Sequence, residues 1–290
     1  MYFVMTSLAL VYLGFLGILT ILGIPWHFIG IIAAIMLLVQ YYGSDKLVLR
    51  SLGAKLKTPD EEPHLHAILD ALVTKAGIPK PKLAIAVTDV PNAFATGRNP
   101  KNSVICITTG IRSRLSNEEL TAVIGHELSH IKNRDVTVMT LASFFATVAG
   151  MLMGVLMWMS LIGGMGGRGR SSGGSSTAVF MIAYLVSVLV YFIATLLILA
   201  LSRYREYGAD HGGALLTGTP DELASALQKI SGVIARIPSQ DLRKLETANA
   251  FCIVSALKGE SLAGLFASHP PLDKRVARLN QLQLEMNNER

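Results

Sequence analysis

Runs without a single charged side chain constrain this chain more than any other feature it has. No Asp, Glu, Lys or Arg occurs from Met1 to Ser44, from Val136 to Gly167, or across residues 178 to 201. A bilayer is crossed by roughly 20 apolar residues in helical form, so each run has the length for it. Pro25 divides the first run into segments near residues 2 to 22 and 26 to 42, so four membrane helices in two hairpins are expected. Composition agrees: 290 residues are 51% hydrophobic and 16% charged, with a mean hydropathy of +0.47, which is too apolar for an ordinary soluble domain. A cleaved signal is the weaker reading of the first segment, which lacks a basic leading region and a small-residue cleavage site.

The expected organisation is a hairpin over 1–43, a polar part over 44–136, a second hairpin over 137–201 and a second polar part over 202–290. Lys46, Arg50, Lys55, Lys57, Lys132, Arg134, Arg203 and Arg205 flank the spans on one side, against Arg168 and Arg170 on the other, so both polar parts are expected in the cytoplasm. The net charge of +6 and pI near 9.3 come from scattered basic residues without an aromatic-basic motif, which speaks against a nucleic-acid partner. Cys106 and Cys252 each lie in apolar sequence and read as buried, reduced thiols.

Within the polar parts, Thr58-Pro59-Asp60-Glu61 reads as a capping box opening a helix that runs to Lys75 and stops at Gly77. Residues 82 to 88 and 102 to 109, rich in Val, Ile and Thr, read as strands. Asn92-Ala93-Phe94-Ala95-Thr96, between them, is either an irregular turn or a short strand; as an edge strand it would pair with an extended peptide. Capping boxes at Ser116-Asn-Glu-Glu119 and Thr219-Pro-Asp-Glu222 open two more helices, and further helices are expected over 241 to 257 and 272 to 288. The fold class is α+β, mainly helical, with a small β-sheet and about four transmembrane helices.

The second of these helices carries His126-Glu-Leu-Ser-His130. Residues four apart fall about 40° apart around a helix, so both imidazoles can close on one metal ion, while Glu127 projects roughly 100° from His126. Neutral imidazoles hold a zinc ion, and an unligated carboxylate beside them takes the proton of the attacking water. An accidental match on an amphipathic helix is the bland alternative. Asn133 falls on the same face of a continued helix, and Asp135, near 180°, falls away from it. His64, His66 and His211 point to other faces and read as structural.

Catalytic zinc takes three protein ligands. The pattern that adds a Gly and a His shortly after the second histidine is absent, since Asn133 and Val136 stand there. No Asp, Glu, His or Cys occurs between Asp135 and Glu206, so Glu206 is the first candidate for the third ligand, its alternative being a juxtamembrane charge paired with Arg203. Asp210, one turn on, is placed to orient a ligand histidine.

His126-Glu-Leu-Ser-His130-Ile-Lys-Asn133-Arg-Asp135, Ser202-Arg-Tyr-Arg-Glu206-Tyr-Gly-Ala-Asp210 and Ser268-His-Pro-Pro271-Leu-Asp-Lys-Arg275 together resemble the motifs of the HtpX family, membrane-bound zinc metalloproteases related to the CAAX prenyl endopeptidases. The likeness extends over nearly the whole chain. It implies a gluzincin-like metallopeptidase domain in the plasma (inner) membrane, one zinc ion per chain, and cleavage of misfolded or stress-damaged membrane proteins, with Glu206 as zinc ligand. It further implies that His269, on a loop ahead of the last helix, lines the site as a donor to the tetrahedral oxyanion, and that Arg275 braces that loop. Polypeptides and the bilayer are the expected partners; the oligomeric state is left open. Cleavage of prenylated carboxyl termini is a rival, against which four apolar segments are few to enclose a membrane chamber. Transport is another, and the spans lack the ionisable groups it uses.

Overall fold

The computed structural model describes residues 2–23, 26–165, 174–236 and 269–289. The expected helix over 241 to 257, Cys252, Arg168, Arg170 and Ser268 lie outside them. The chain forms two compact units, one of residues 1–41 and 138–201, the other of 42–137 and 202–290.

The first unit is helical throughout. It contains α1 (Tyr2–Ile21) and most of α2 (Trp26–Ser51), α6 (Asp135–Met165) and α7 (Gly174–Thr217). Phe15, Leu19, Leu152, Leu156 and Val190 form one of its cores, and Leu8, Ala142, Ala194 and Leu201 another. Phe3, Leu10, Leu13, Trp158, Ile182, Leu185 and Phe192 point outward, a surface that water would not tolerate and lipid would. Among the described residues, three helices are long and apolar enough to cross a membrane, or four if the bent α2 is taken as one span.

The second unit places a four-stranded sheet among helices. β1 (Lys55–Lys57), β2 (Lys82–Ala86), β3 (Ala93–Thr96) and β4 (Val104–Thr108) lie in the order β1-β2-β4-β3, with β2 and β4 parallel and the outer pairs antiparallel. Leu83, Ile85, Ile105 and Ile107 pack from one face onto α3 (Pro63–Ala76), α5 (Asn117–Lys132), α8 (Pro220–Ile234) and α9 (Leu272–Asn288) through Leu69, Ile124, Leu227 and Leu279. Ala84, Phe94, Val104 and Cys106 fill the other face against Val48 and Leu49 of α2 and Leu52 just after it. Coverage on both faces explains why β4 reads Val-Ile-Cys-Ile-Thr without polar alternation. Burial pushes the Cys106 thiol up to about 12, so it stays a protonated, inert filler of the core.

One helix start, one cap and one strand differ from the sequence reading. The helix expected from Thr58 begins at Pro63, because a proline at its fifth position would lack the required N–H and clash with the preceding turn. Thr58 and Glu61 instead close a turn, the Glu61 carboxylate accepting from the Thr58 amide at 2.9 Å. The helix still ends where Gly77 takes a left-handed conformation, φ 67°. At α8, Thr219 occupies the cap position and Pro220 the first turn, but no side-chain capping bond forms. Only Ser116 and Glu119 make the complete reciprocal box. β1, a Lys-Leu-Lys edge strand, carries too little pattern to be read in advance.

Candidate metal centre

The helix that carries the His-Glu-Leu-Ser-His pentapeptide is anchored at its start. The Glu119 carboxylate accepts from the Ser116 amide at 2.9 Å and the Ser225 hydroxyl at 2.6 Å, and pairs with Lys229 at 2.6 Å, tying α5 to α8. Burial alone would raise this carboxyl, yet Lys229, Ser225 and Ser116 together hold it below its usual value. Two turns on, α7 crosses close to α5. A methyl group on Gly213 would stand 2.7 Å from the His126 backbone, so this approach requires glycine.

That crossing brings two histidines and a carboxylate together. The Nε2 atoms of His126 and His130 are 3.2 Å apart with their rings perpendicular. Glu206 Oε1 is 3.5 Å from His130 Nε2, and its Oε2 is 3.8 Å from His126 Nε2. One donor atom from each of these residues lies within 4.8 Å of the others, the only such group among the described residues. Two nitrogens bound to one tetrahedral zinc ion at about 2.0–2.1 Å sit roughly 3.3 Å apart, so the observed spacing fits the ion. Glu206 Oε2 is buried without a hydrogen-bond partner, as an oxygen reserved for a cation would be.

Each histidine is held through its far nitrogen. His130 Nδ1 meets Asp135 Oδ2 at 2.6 Å, and Arg205 braces the same carboxylate at 2.8 Å. His126 Nδ1 lies 3.0 Å from Asp210 Oδ1, off the ideal hydrogen-bond line. Arg275 grips Asp210 with two bonds of 2.8 and 2.7 Å and reaches Glu206 Oε2 at 3.4 Å. Such carboxylates fix which imidazole nitrogen faces the ion. Burial works against a charge on His130, but Asp135 and Glu206 outweigh it and push its pKa up to about 10, so the pocket is built to hold a positive charge that a metal supplies in place of the proton.

Glu127, beside His126, is buried and ligates nothing in this group. Burial pushes its carboxyl above the usual range, against the pull of the two histidines and of the Ala95 amide, which donates to it. Ala95 belongs to β3, the sheet's outer strand. Asn92 and Thr108 are a hydrogen-bonded pair, so alternation turns the backbone groups of Ala93 and Ala95 away from β4, toward the free edge. His269 is buried, its Nδ1 3.3 Å from Glu206 Oε2, and neither ring nitrogen makes a hydrogen bond.

Two residues stand elsewhere than the helical wheel puts them. Asn133 is exposed at the end of α5 and lines a different cavity from the metal ligands. Asp135, expected on the far side, is His130's partner. The reason is Arg134, in the left-handed region at φ 55°, which ends α5 and lets Asp135 open α6 on a new axis. The sequence carries no signal that Arg205 is Asp135's second partner, because only the helix break brings the two together. Arg275 does more than brace a loop: it is fully buried between Asp210 and Glu206.

A model of peptidase family M48 matches residues 59–283. Protease HtpX homolog of Moorella thermoacetica is 51% identical over 291 residues, covering 100% of this chain and 95% of that protein. Protease HtpX homolog 2 of Methanosarcina mazei is 47% identical over 99% of this chain and 95% of that protein. Among solved structures, S. mikatae Ste24p matches with a TM-score of 0.57 at 19% identity, over 93% of this chain and 62% of that one, a likeness of fold. With the cluster of His126, His130 and Glu206 inside the matched region, the chain belongs to peptidase family M48, in its HtpX group, and is a membrane metallopeptidase.

Proposed function

We propose that this chain is a zinc-dependent endopeptidase that cleaves misfolded or damaged membrane proteins on the cytoplasmic side of the plasma membrane, as part of a stress response. The observation that carries the chemistry is the three-donor cluster with an unligated, buried Glu127 between it and an open strand edge. The distribution of Lys and Arg around the spans supports the cytoplasmic side. The resemblance of all three motifs to the HtpX family supports the substrate class.

His126, His130 and Glu206 would hold the zinc, which supplies Lewis acidity toward a water molecule and the scissile carbonyl. A substrate strand lies along β3 and pairs with the outward backbone groups of Ala93 and the Ala95 carbonyl, within the stretch Asn92 to Thr96, leaving the Ala95 amide on Glu127. Glu127 accepts the proton of the attacking water, its raised pKa suiting it to carry that proton to the leaving amine. His269, whose ring nitrogens have no hydrogen bond, donates to the oxyanion of the tetrahedral intermediate. Arg275 holds Asp210, and Asp210 holds His126.

The test is Glu127→Ala, purified with full metal occupancy and given an unfolded membrane-protein substrate. Cleavage should fall by at least about a hundredfold with zinc content unchanged. Cleavage at the native rate would refute the assignment.

A further inference from the structure

On the flank of α5 away from the metal ligands is a second cavity of about 500 Å³, bounded by α3, α5 and α7 within the same unit. Its charged lining is basic throughout: Lys75 and Lys132, with His211 beside them and no carboxylate. Among the described residues neither lysine has an ion-pair or hydrogen-bond partner. Ser129 and Asn133 add polar side chains, and Leu215 gives one wall an apolar surface that is 53% exposed.

Gly208 is an exposed residue on the wall of this cavity. It lies inside α7, where glycine costs about 1 kcal/mol relative to alanine, and it is not needed for close packing: a Cβ there would meet nothing within 4 Å. What its missing side chain leaves open is this cavity. Lys75 and Lys132 are exposed residues lining one open cavity beside the hydrogen-bonding side chains of Ser129 and Asn133, a set that matches the oxygens of a phosphate group, and the leucine wall suits an attached acyl chain. The α7 residues that line it follow the charge-free run 178–201 in the same helix.

We propose that this cavity is a binding site for a phosphate-bearing anion, separate from the metal centre and held by Lys75 and Lys132. The full-length metal-loaded protein in zwitterionic detergent would be titrated calorimetrically with inorganic phosphate, with dihexanoyl phosphatidylglycerol, and with dihexanoyl phosphatidylcholine. Saturable binding of phosphatidylglycerol stronger than that of phosphatidylcholine, and weakening with added salt, is expected. Equal affinity for inorganic phosphate would identify free phosphate as the source; affinity for phosphatidylglycerol alone would identify a lipid headgroup. The double variant Lys75→Gln, Lys132→Gln should lose about tenfold or more in affinity, and the arginine pair should keep it. Gly208→Leu, which fills the cavity without touching a charge, should block binding and leave zinc content unchanged. Absence of binding to the wild type, or binding unaltered in both the glutamine pair and Gly208→Leu, would overturn the proposal.

Discussion

Single carboxylates in this chain carry distinct tasks, set by what surrounds each. Glu206 meets two imidazoles, His269 and Arg275 in a buried pocket, so Glu206→Gln is expected to abolish stoichiometric zinc binding, read by elemental analysis of the purified variant. Tight binding at one ion per chain in that variant would remove Glu206 from the ligand set. Asp135 touches no ligand position itself but fixes His130, so Asp135→Asn should weaken zinc affinity by about 10–100-fold, measured by competition with a chelator. Glu119 acts on stability. Its carboxyl is held below the usual range when folded, so the stability it contributes is complete at neutral pH and is lost as the pH falls through that lowered value. Denaturant midpoints of the wild type and Glu119→Gln should differ by a constant amount above about pH 5, worth about 1–2 kcal/mol, and converge at lower pH. The histidines and Glu206 are legible in sequence because the ligand count leaves few candidates. Asp135 is not, because a single left-handed residue, Arg134, resets the helical phase and nothing about an arginine announces that conformation.

Elements with runs of β-branched residues or strong start signals are the ones sequence reading recovers. The reciprocal box at Ser116 and the two buried strands are of this kind. Where two prolines compete, as at Pro59 and Pro63, the cap motif loses to the ring that cannot sit inside a helix. The junction of α5 and α7 depends on a property that pattern cannot show, the distance between backbones. Within α7, Gly213→Ala should therefore destabilise the protein by about 1–3 kcal/mol and lower its zinc affinity, because the added methyl meets the His126 backbone. Gly208→Ala meets nothing and should be neutral or stabilising by up to about 1 kcal/mol. Thermal melts of the two variants in the same detergent compare them directly.

At the scale of the whole molecule, the metal group joins residues from α5 and α7, so bound zinc would add a crosslink that the chain lacks without it. Removing the metal with a chelator should lower the melting temperature of the wild type and leave that of Glu206→Gln unchanged. The chain order of the participants has a further consequence for biosynthesis. His126 and His130 are made well before Glu206 and Asp210, and Arg275, which holds Asp210, is made later still. A ribosome-bound chain therefore carries its histidine pair through the synthesis of the apolar stretches of α6 and α7 without a complete site. The three-donor group can close only after those apolar stretches have been made, so the order of synthesis sets the order in which the site is assembled.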